Sequence, residues 1–329
     1  MTNPNDPNPD NIDEVLNDWA EDPNNPMNET MPEFDKWPYS PSNPYKRDCK
    51  IVFISYKFTD QLINAQLRAG NTITKYYENN SRGFVNIIPS YFTAVINSTH
   101  AAANLKDAQQ IAKSQVDAKF GPNAFTFYIH FDNPKTSTTG STQSFTYLRN
   151  SNMIHETGHL FNFSHAHTRV YNPDGVTFTI KNSRDAFDPM SINSPYGSLN
   201  PVHRYSHGWF LPGELVTLVP GTQYNLFMLT NFINKTNIKT LMYVDSKKNT
   251  WFFAYGTTKS GPVIYIHTFT PDYNTSYLDH VYTAKANTVI NHGPSGLSIK
   301  IDSVTNKNVL VTFNPMTSSA VHTEGLTPE

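Results

Sequence analysis

Four residues, His155, Glu156, His159 and His165, have the types and spacing to do chemistry, and the chemistry they suggest is zinc-assisted hydrolysis. The run His155-Glu156-Thr157-Gly158-His159-Leu160-Phe161-Asn162-Phe163-Ser164-His165 is an H-E-x-x-H with a further histidine six residues on. On a helix, residues i and i+4 are neighbours on one face, so His155 and His159 can grip one tetrahedral zinc ion. Glu156 lies beside them, placed to take a proton from the attacking water. His165 returns as a third ligand if the helix stops near Asn162 and the chain turns sharply there. Asparagine is the next-best residue after glycine for the left-handed conformation such a turn needs. Three neutral imidazoles leave a fourth metal position open, as in a catalytic rather than a structural site. His167 competes with His165 for the third place and otherwise stands behind the ligands or on the substrate side. His203 and His207 read as surface or supporting residues.

These residues have to be positioned by the elements around them. Ile51–Tyr56 is a short apolar, β-branched run and predicts a buried strand. Thr59 to about Tyr77 has helical spacing of apolar residues, Gly83–Ile88 reads as a second strand, and Ala101–Lys119 as a second helix closed by Gly121-Pro122. Ala124–Phe131 alternates and predicts a third strand, and the zinc helix starts near Ser151. The order is an α/β layer with the zinc helix under the sheet. Residues 168–212 read as a long irregular segment, and such segments inside a domain are usually functional. Beyond it, Leu215–Val219, Tyr224–Leu229, Leu241–Val244, Trp251–Tyr255, Val263–His267, Leu297–Ile301 and Val309–Phe313 predict a β-sandwich.

Composition narrows the function classes. The chain has 329 residues and a formal net charge of −2, but residues 1–40 hold ten Asp/Glu against Lys36 alone, which leaves +7 on the remainder. Without Lys/Arg runs, that charge argues against nucleic-acid binding. No apolar run reaches the ~18–20 residues of a membrane-spanning helix. The first residues lack the basic and apolar regions of a signal peptide, so an extracellular or particle-associated location would need another route or prior removal of a leader. Cys49 is the only cysteine, and no intrachain disulfide can form. The expected organisation is an acidic Asn/Pro-rich arm over 1–48, a catalytic domain over 49–212, a β-rich domain over 213–315 and a tail over 316–329. The arm either wraps the body, acts as a propeptide or reaches neighbouring subunits.

The extended zinc motif resembles that of the metzincin metallopeptidases, and the wider pattern is similar to their gametolysin family. Asp188-Pro189-Met190-Ser191, 25 residues after His165, resembles the methionine turn beneath the metal. Leu199–Trp209 resembles the stretch that closes such catalytic domains, and the Trp251–Tyr255 and Gly261–His267 runs resemble the family's trailing β region. The family's usual glycine in the motif is Asn162 here. The resemblance implies an α+β fold: a metzincin-like zincin catalytic domain (twisted sheet plus active-site helix) followed by a C-terminal β-sandwich-like domain. It implies a zinc endopeptidase with Zn2+ on His155, His159 and His165, Glu156 as general base, and Met190 packed below. Tyr196 or Tyr205 is the oxyanion helper, and a protein or peptide substrate lies along an exposed strand edge, with Ala124–Phe131 as the candidate. Cell-wall, surface or structural proteins are the expected substrates. The alternative is a virion-type particle component that uses a metallopeptidase-like domain for binding. Cys49 is either a zymogen-type switch or an inert residue at a strand start. Asp174, Asp185 and Asp188 could contribute to a structural Ca2+ site, although loop acids are commonly just solvated.

Overall fold

The β-branched run at 51–54 sits in the middle of a sheet rather than at its rim. The computed structural model describes residues 42–55, 60–95, 105–131, 138–139, 143–146, 150–172, 177–191, 198–230, 232, 236–269 and 275–316. Strand β1 (Arg47–Ser55) pairs in parallel with β2 (Val85–Thr93) on one side and β3 (Phe127–Phe131) on the other. β5 (Gln143–Thr146) continues the parallel set, and β4 (Thr138–Thr139) closes it antiparallel, giving the order β2-β1-β3-β5-β4. Parallel strands need crossovers that cover both faces, so a central strand is apolar on both sides. Accordingly Ile51 and Phe53 point into one core while Val52 and Ile54 point into another. Helices α1 (Asp60–Asn80) and α3 (Asn150–Leu160) cover the first face, and α2 (Leu105–Phe120) covers the second with the i, i+4, i+8 set Ala108, Ala112 and Val116. Burial of each large apolar side chain here is worth roughly 1.5–3 kcal/mol.

The second half is built of two face-packed sheets. One has seven strands in the order β7-β6-β13-β12-β11-β10-β8, comprising β6 (Ala166–Tyr171), β7 (Phe178–Lys181), β8 (Leu215–Thr217), β10 (Thr240–Val244), β11 (Thr250–Thr258), β12 (Gly261–Phe269) and β13 (Ser276–Thr283). The other has four antiparallel strands in the order β14-β15-β16-β9, comprising β9 (Gln223–Phe227), β14 (Thr288–His292), β15 (Leu297–Val304) and β16 (Asn308–Pro315). Alternation along β11 and β12 sends Phe253, Tyr255, Ile264 and Ile266 into the core between the sheets. Ala254, Val263 and Tyr265 face the opposite side, against Phe187, Tyr205 and Phe210. Helix α4 (Pro201–Ser206) lies on that side.

The α+β expectation is corrected by this count. Among the described residues strand outweighs helix, 45% against 21%, so the fold is mostly β, carried on several sheets, and not a metzincin-like zincin domain followed by a separate sandwich. The physical reason lies in β6, β7, β13 and β14, which local patterning did not reveal. β6 and β7 fall inside the segment read as irregular, and β6 finds its partner β13 about 110 residues later in the chain. β7 has every side chain exposed, so it shows no apolar alternation, and β13 carries a buried acid, Asp279. The seven-stranded sheet thus draws strands from both sides of the boundary drawn at 212/213. β1 begins at Arg47, inside the range assigned to the arm. Most of the arm (1–41) and of the tail (317–329) lies outside the described residues.

Candidate metal centre

Helix α3 and the turn that ends it determine how the three imidazoles meet. Asn162 has φ 64°, the left-handed conformation the motif needs, so the turn forms without glycine. The N–H of Phe163 donates to the Gly158 carbonyl at 3.0 Å and that of Asn162 to the His159 carbonyl at 2.8 Å, the pair of bonds that defines a Schellman cap. The chain therefore reverses at 162, and His165 folds back to the exposed end of the two helix histidines. The rings of His155, His159 and His165 stand 4.8, 5.1 and 4.9 Å apart, centroid to centroid. One donor nitrogen from each lies within 4.8 Å of the other two.

The protons of two of these rings are accounted for. His155 Nδ1 donates to the Pro189 carbonyl at 2.9 Å and His159 Nδ1 to the Phe163 carbonyl at 2.8 Å. That leaves lone pairs on both Nε2 atoms, which face each other at 3.1 Å. Two lone pairs at that distance repel unless a positive centre lies between them. Tetrahedral zinc with ligands at about 2.0–2.1 Å would set neighbouring nitrogens roughly 3.3 Å apart, so the donor set fits the ion. Carbonyl partners on Nδ1 are the usual means of fixing the tautomer of a metal-binding histidine. Burial, then His155 and His165, pushes the His159 imidazole well below its ordinary range. Burial, then His155, His167 and His203, brings His165 down to about 3. Both are neutral at pH 7, the form that binds metal. Glu156 is buried at 7% exposure on the same helix.

Beneath the helix, the methionine turn is tightly fitted. Met190 is fully buried, and a Cβ on Gly158 would lie 2.3 Å from its Sδ, so only glycine leaves room for it. The Tyr77 hydroxyl, whose pKa burial raises far above its usual value, donates to the Ile154 carbonyl from below. Asp188 shapes the turn: Oδ1 accepts from Met190 N at 2.7 Å, while Oδ2 accepts from Asn200 N at 2.6 Å and His203 Nδ1 at 3.0 Å. Burial alone would raise the Asp188 pKa, but His203 and the two N–H donors outweigh it and hold the carboxyl below its usual range.

Asn200 ties this turn to the rest of the fold. Its Oδ1 caps α4 by accepting from His203 N, and its Nδ2 donates to Asp185 Oδ2 at 3.1 Å and Ser276 Oγ at 2.7 Å. Asp185 also accepts from Phe187 N and pairs with His267 Nε2 at 2.8 Å on β12. Sequence reasoning did not assign this network. The Asn200-Pro201 pair, a side-chain cap followed by proline at the first helical position, was the local signal available.

Several expectations change here. Asp185 and Asp188 are neither solvated nor arranged for calcium; both are fully buried and satisfied by protein donors, and Asp174 lies outside the described residues. His203 and His207 are buried, not at the surface, and His207 Nε2 donates to the Phe161 carbonyl at 2.8 Å while its ring packs on Phe163. His167 does not join the three imidazoles: its Nδ1 accepts from Ser183 N at 2.9 Å. Tyr205 packs its ring on Phe252 and Phe269, and Tyr196 lies outside the described residues. β3 is interior to its sheet, so Ala124–Phe131 offers no edge; the edge strand that touches α3 is β4. Cys49 is buried in the core with its thiol pushed up to about 12 by burial, which leaves it protonated and unsuited to binding metal as a switch. Among the described residues, no helix is long and apolar enough to cross a membrane.

A comparison with protein-family models and with curated protein sequences returns no match, so the functional reading rests on the residues themselves.

Proposed function

We propose that this chain is a zinc-dependent endopeptidase. One observation carries the reading: three imidazoles converge, two of them fixed through Nδ1 to backbone carbonyls, beside a buried glutamate. The resemblance of His155–His165 and Asp188–Ser191 to the gametolysin-like metallopeptidases supports peptide bonds as the substrate. His155, His159 and His165 would hold the ion, and the absence of a carboxylate ligand keeps the site's charge at that of the metal. Zinc, when bound, supplies Lewis acidity toward water and the scissile carbonyl.

The remaining steps belong to the chain. Glu156 takes a proton from the attacking water onto its carboxylate and returns it to the leaving amine. The carbonyls of Pro189 and Phe163 hold the ligand tautomers through the cycle. Met190 and Gly158 set the height of the helix under the metal. Among the described residues β4 is the last strand of its sheet, and an extended peptide would add there as a further strand.

The test is zinc content together with cleavage of casein or gelatin, with and without 1,10-phenanthroline. Bound zinc, chelator-sensitive cleavage and its loss in His159→Ala are expected. A protein that takes up no zinc at His155, His159 and His165 and cleaves nothing overturns the reading in favour of a particle component that only binds.

A further inference from the structure

Outside the His155 cluster, the described residues bring one other group of metal-ligating side chains together. Asp279 and His280 on β13 and His292 at the end of β14 place one donor atom each within 4.8 Å of the others. Asp279 Oδ2 stands 2.8 Å from both His280 Nδ1 and His292 Nε2. Its second oxygen, Oδ1, accepts from the Tyr171 hydroxyl at 2.7 Å, with Arg169 Nη1 at 3.5 Å. The Asp279 and His292 side chains are wholly buried, and His280 is 12% exposed.

Ser295 holds the far side of His292, with its Oγ 2.7 Å from His292 Nδ1 and 3.2 Å from the His292 carbonyl. When the hydroxyl donates to the carbonyl, Nδ1 carries the ring proton and the Nε2 lone pair faces an Asp279 oxygen at 2.8 Å, an arrangement that a cation completes. When the hydroxyl donates to Nδ1 instead, Nε2–H donates to Asp279 and the cluster closes as hydrogen bonds. What favours a metal is the convergence: both imidazoles meet one carboxylate oxygen, while the other oxygen is held by Tyr171 and Arg169.

We propose that Asp279, His280 and His292 form a second, structural metal site of zinc type, through Asp279 Oδ2, His280 Nδ1 and His292 Nε2. Two imidazoles and one carboxylate are an N/O set suited to a borderline divalent ion. The surrounding groups fit the same reading. Ser295 can accept from His292 Nδ1 and so leave Nε2 for the ion, and Tyr171 and Arg169 hold the carboxylate by the oxygen turned away from it. The site joins β6 and β13 of the seven-stranded sheet to β14 of the four-stranded one, so metal affinity adds to the stability of the sheet pair. The buried ligands leave only the edge of His280 as an entry path. The proposal stands independently of the endopeptidase reading.

The experiment uses the full chain, equilibrated with Zn2+ and freed of unbound metal. Two zinc ions per chain are expected in the parent protein and one in His155→Ala/His159→Ala. The remaining ion should be lost when His280→Ala is added. Co2+ in His155→Ala/His159→Ala should give visible d–d absorption that His280→Ala abolishes, and Zn2+ should raise that protein's unfolding temperature. A parent protein with a single zinc that disappears in His155→Ala/His159→Ala overturns the proposal, leaving His292 simply hydrogen-bonded to Asp279. So does a second zinc that survives His280→Ala. If the double variant does not fold, His280→Ala in the parent decides: loss of one zinc per chain supports the site, and an unchanged zinc content overturns it.

Discussion

The two histidine clusters solve opposite problems with similar residues. The cluster on α3 gathers its lone pairs on partly buried rings and has a glutamate alongside but no acid in its ligand set. The cluster on β13 and β14 is sealed, has a carboxylate at its centre and sits between two sheets. One is made by local sequence, a helix and its cap, and the other by strands brought together across the fold. The difference separates a site that has room for a reacting group from one that only joins structure.

Substitution of the two carboxylates should pull these roles apart most strongly. Glu156→Gln is expected to lower peptide cleavage by about 10²–10⁴-fold with zinc stoichiometry and unfolding temperature close to the parent. Asp279→Asn is expected to leave the specific activity of the folded protein unchanged while costing about 3–5 kcal/mol of stability, because it leaves buried partners uncompensated. Denaturant unfolding and casein cleavage on the same samples check both. An Asp279→Asn protein that stays stable but loses activity would erase the distinction.

Smaller effects sharpen the support of the first cluster. Gly158→Ala forces Met190 from its place and should cost roughly 1–3 kcal/mol; combined with Met190→Ala, the two losses should fall well short of additive. His207 gives a pH signature. Burial brings its imidazole down to about 3 in the folded protein, against about 6.5 when unfolded. The unfolded chain therefore takes up the proton first, so stability is full above about pH 6.5 and falls as pH drops towards 3, by about 1.4 kcal/mol per unit. In His207→Gln the slope of unfolding free energy between pH 6.5 and 5 should flatten by that amount. Asn162→Ala is the mildest change, expected to cost about 1 kcal/mol at φ 64°, while Asn162→Gly should be neutral or slightly stabilising.

The contrast also explains what the sequence could reveal. The spacing of His155, His159 and His165, with Asn162 at the turn, was enough to foresee three rings meeting, because every contact lies within eleven residues. The helical runs at 60–80 and 105–120 and the seven apolar β runs after 212 were legible for the same reason, since periodicity is local. β6, β13 and β14 were not legible, because Thr168, Asp279 and His292 stand among their buried positions and break the apolar alternation, and β6 meets β13 only about 110 residues later. Nor did Asp185, Asp188 and His267 signal their roles. A buried polar side chain is recognised by what it meets, and each meets residues far from its own stretch.

Asn200 has a consequence for how the molecule assembles. The turn under the metal helix is held by Asp188, Asp188 by Asn200, and Asn200 by Ser276, the first residue of β13. During synthesis the three histidines emerge about 110 residues before that serine and the strand it opens. Contacts of such separation form late. The α3 histidines thus wait on the far end of the chain for their floor, and under the proposed zinc reading the onset of metal uptake during refolding would time closure of the seven-stranded sheet.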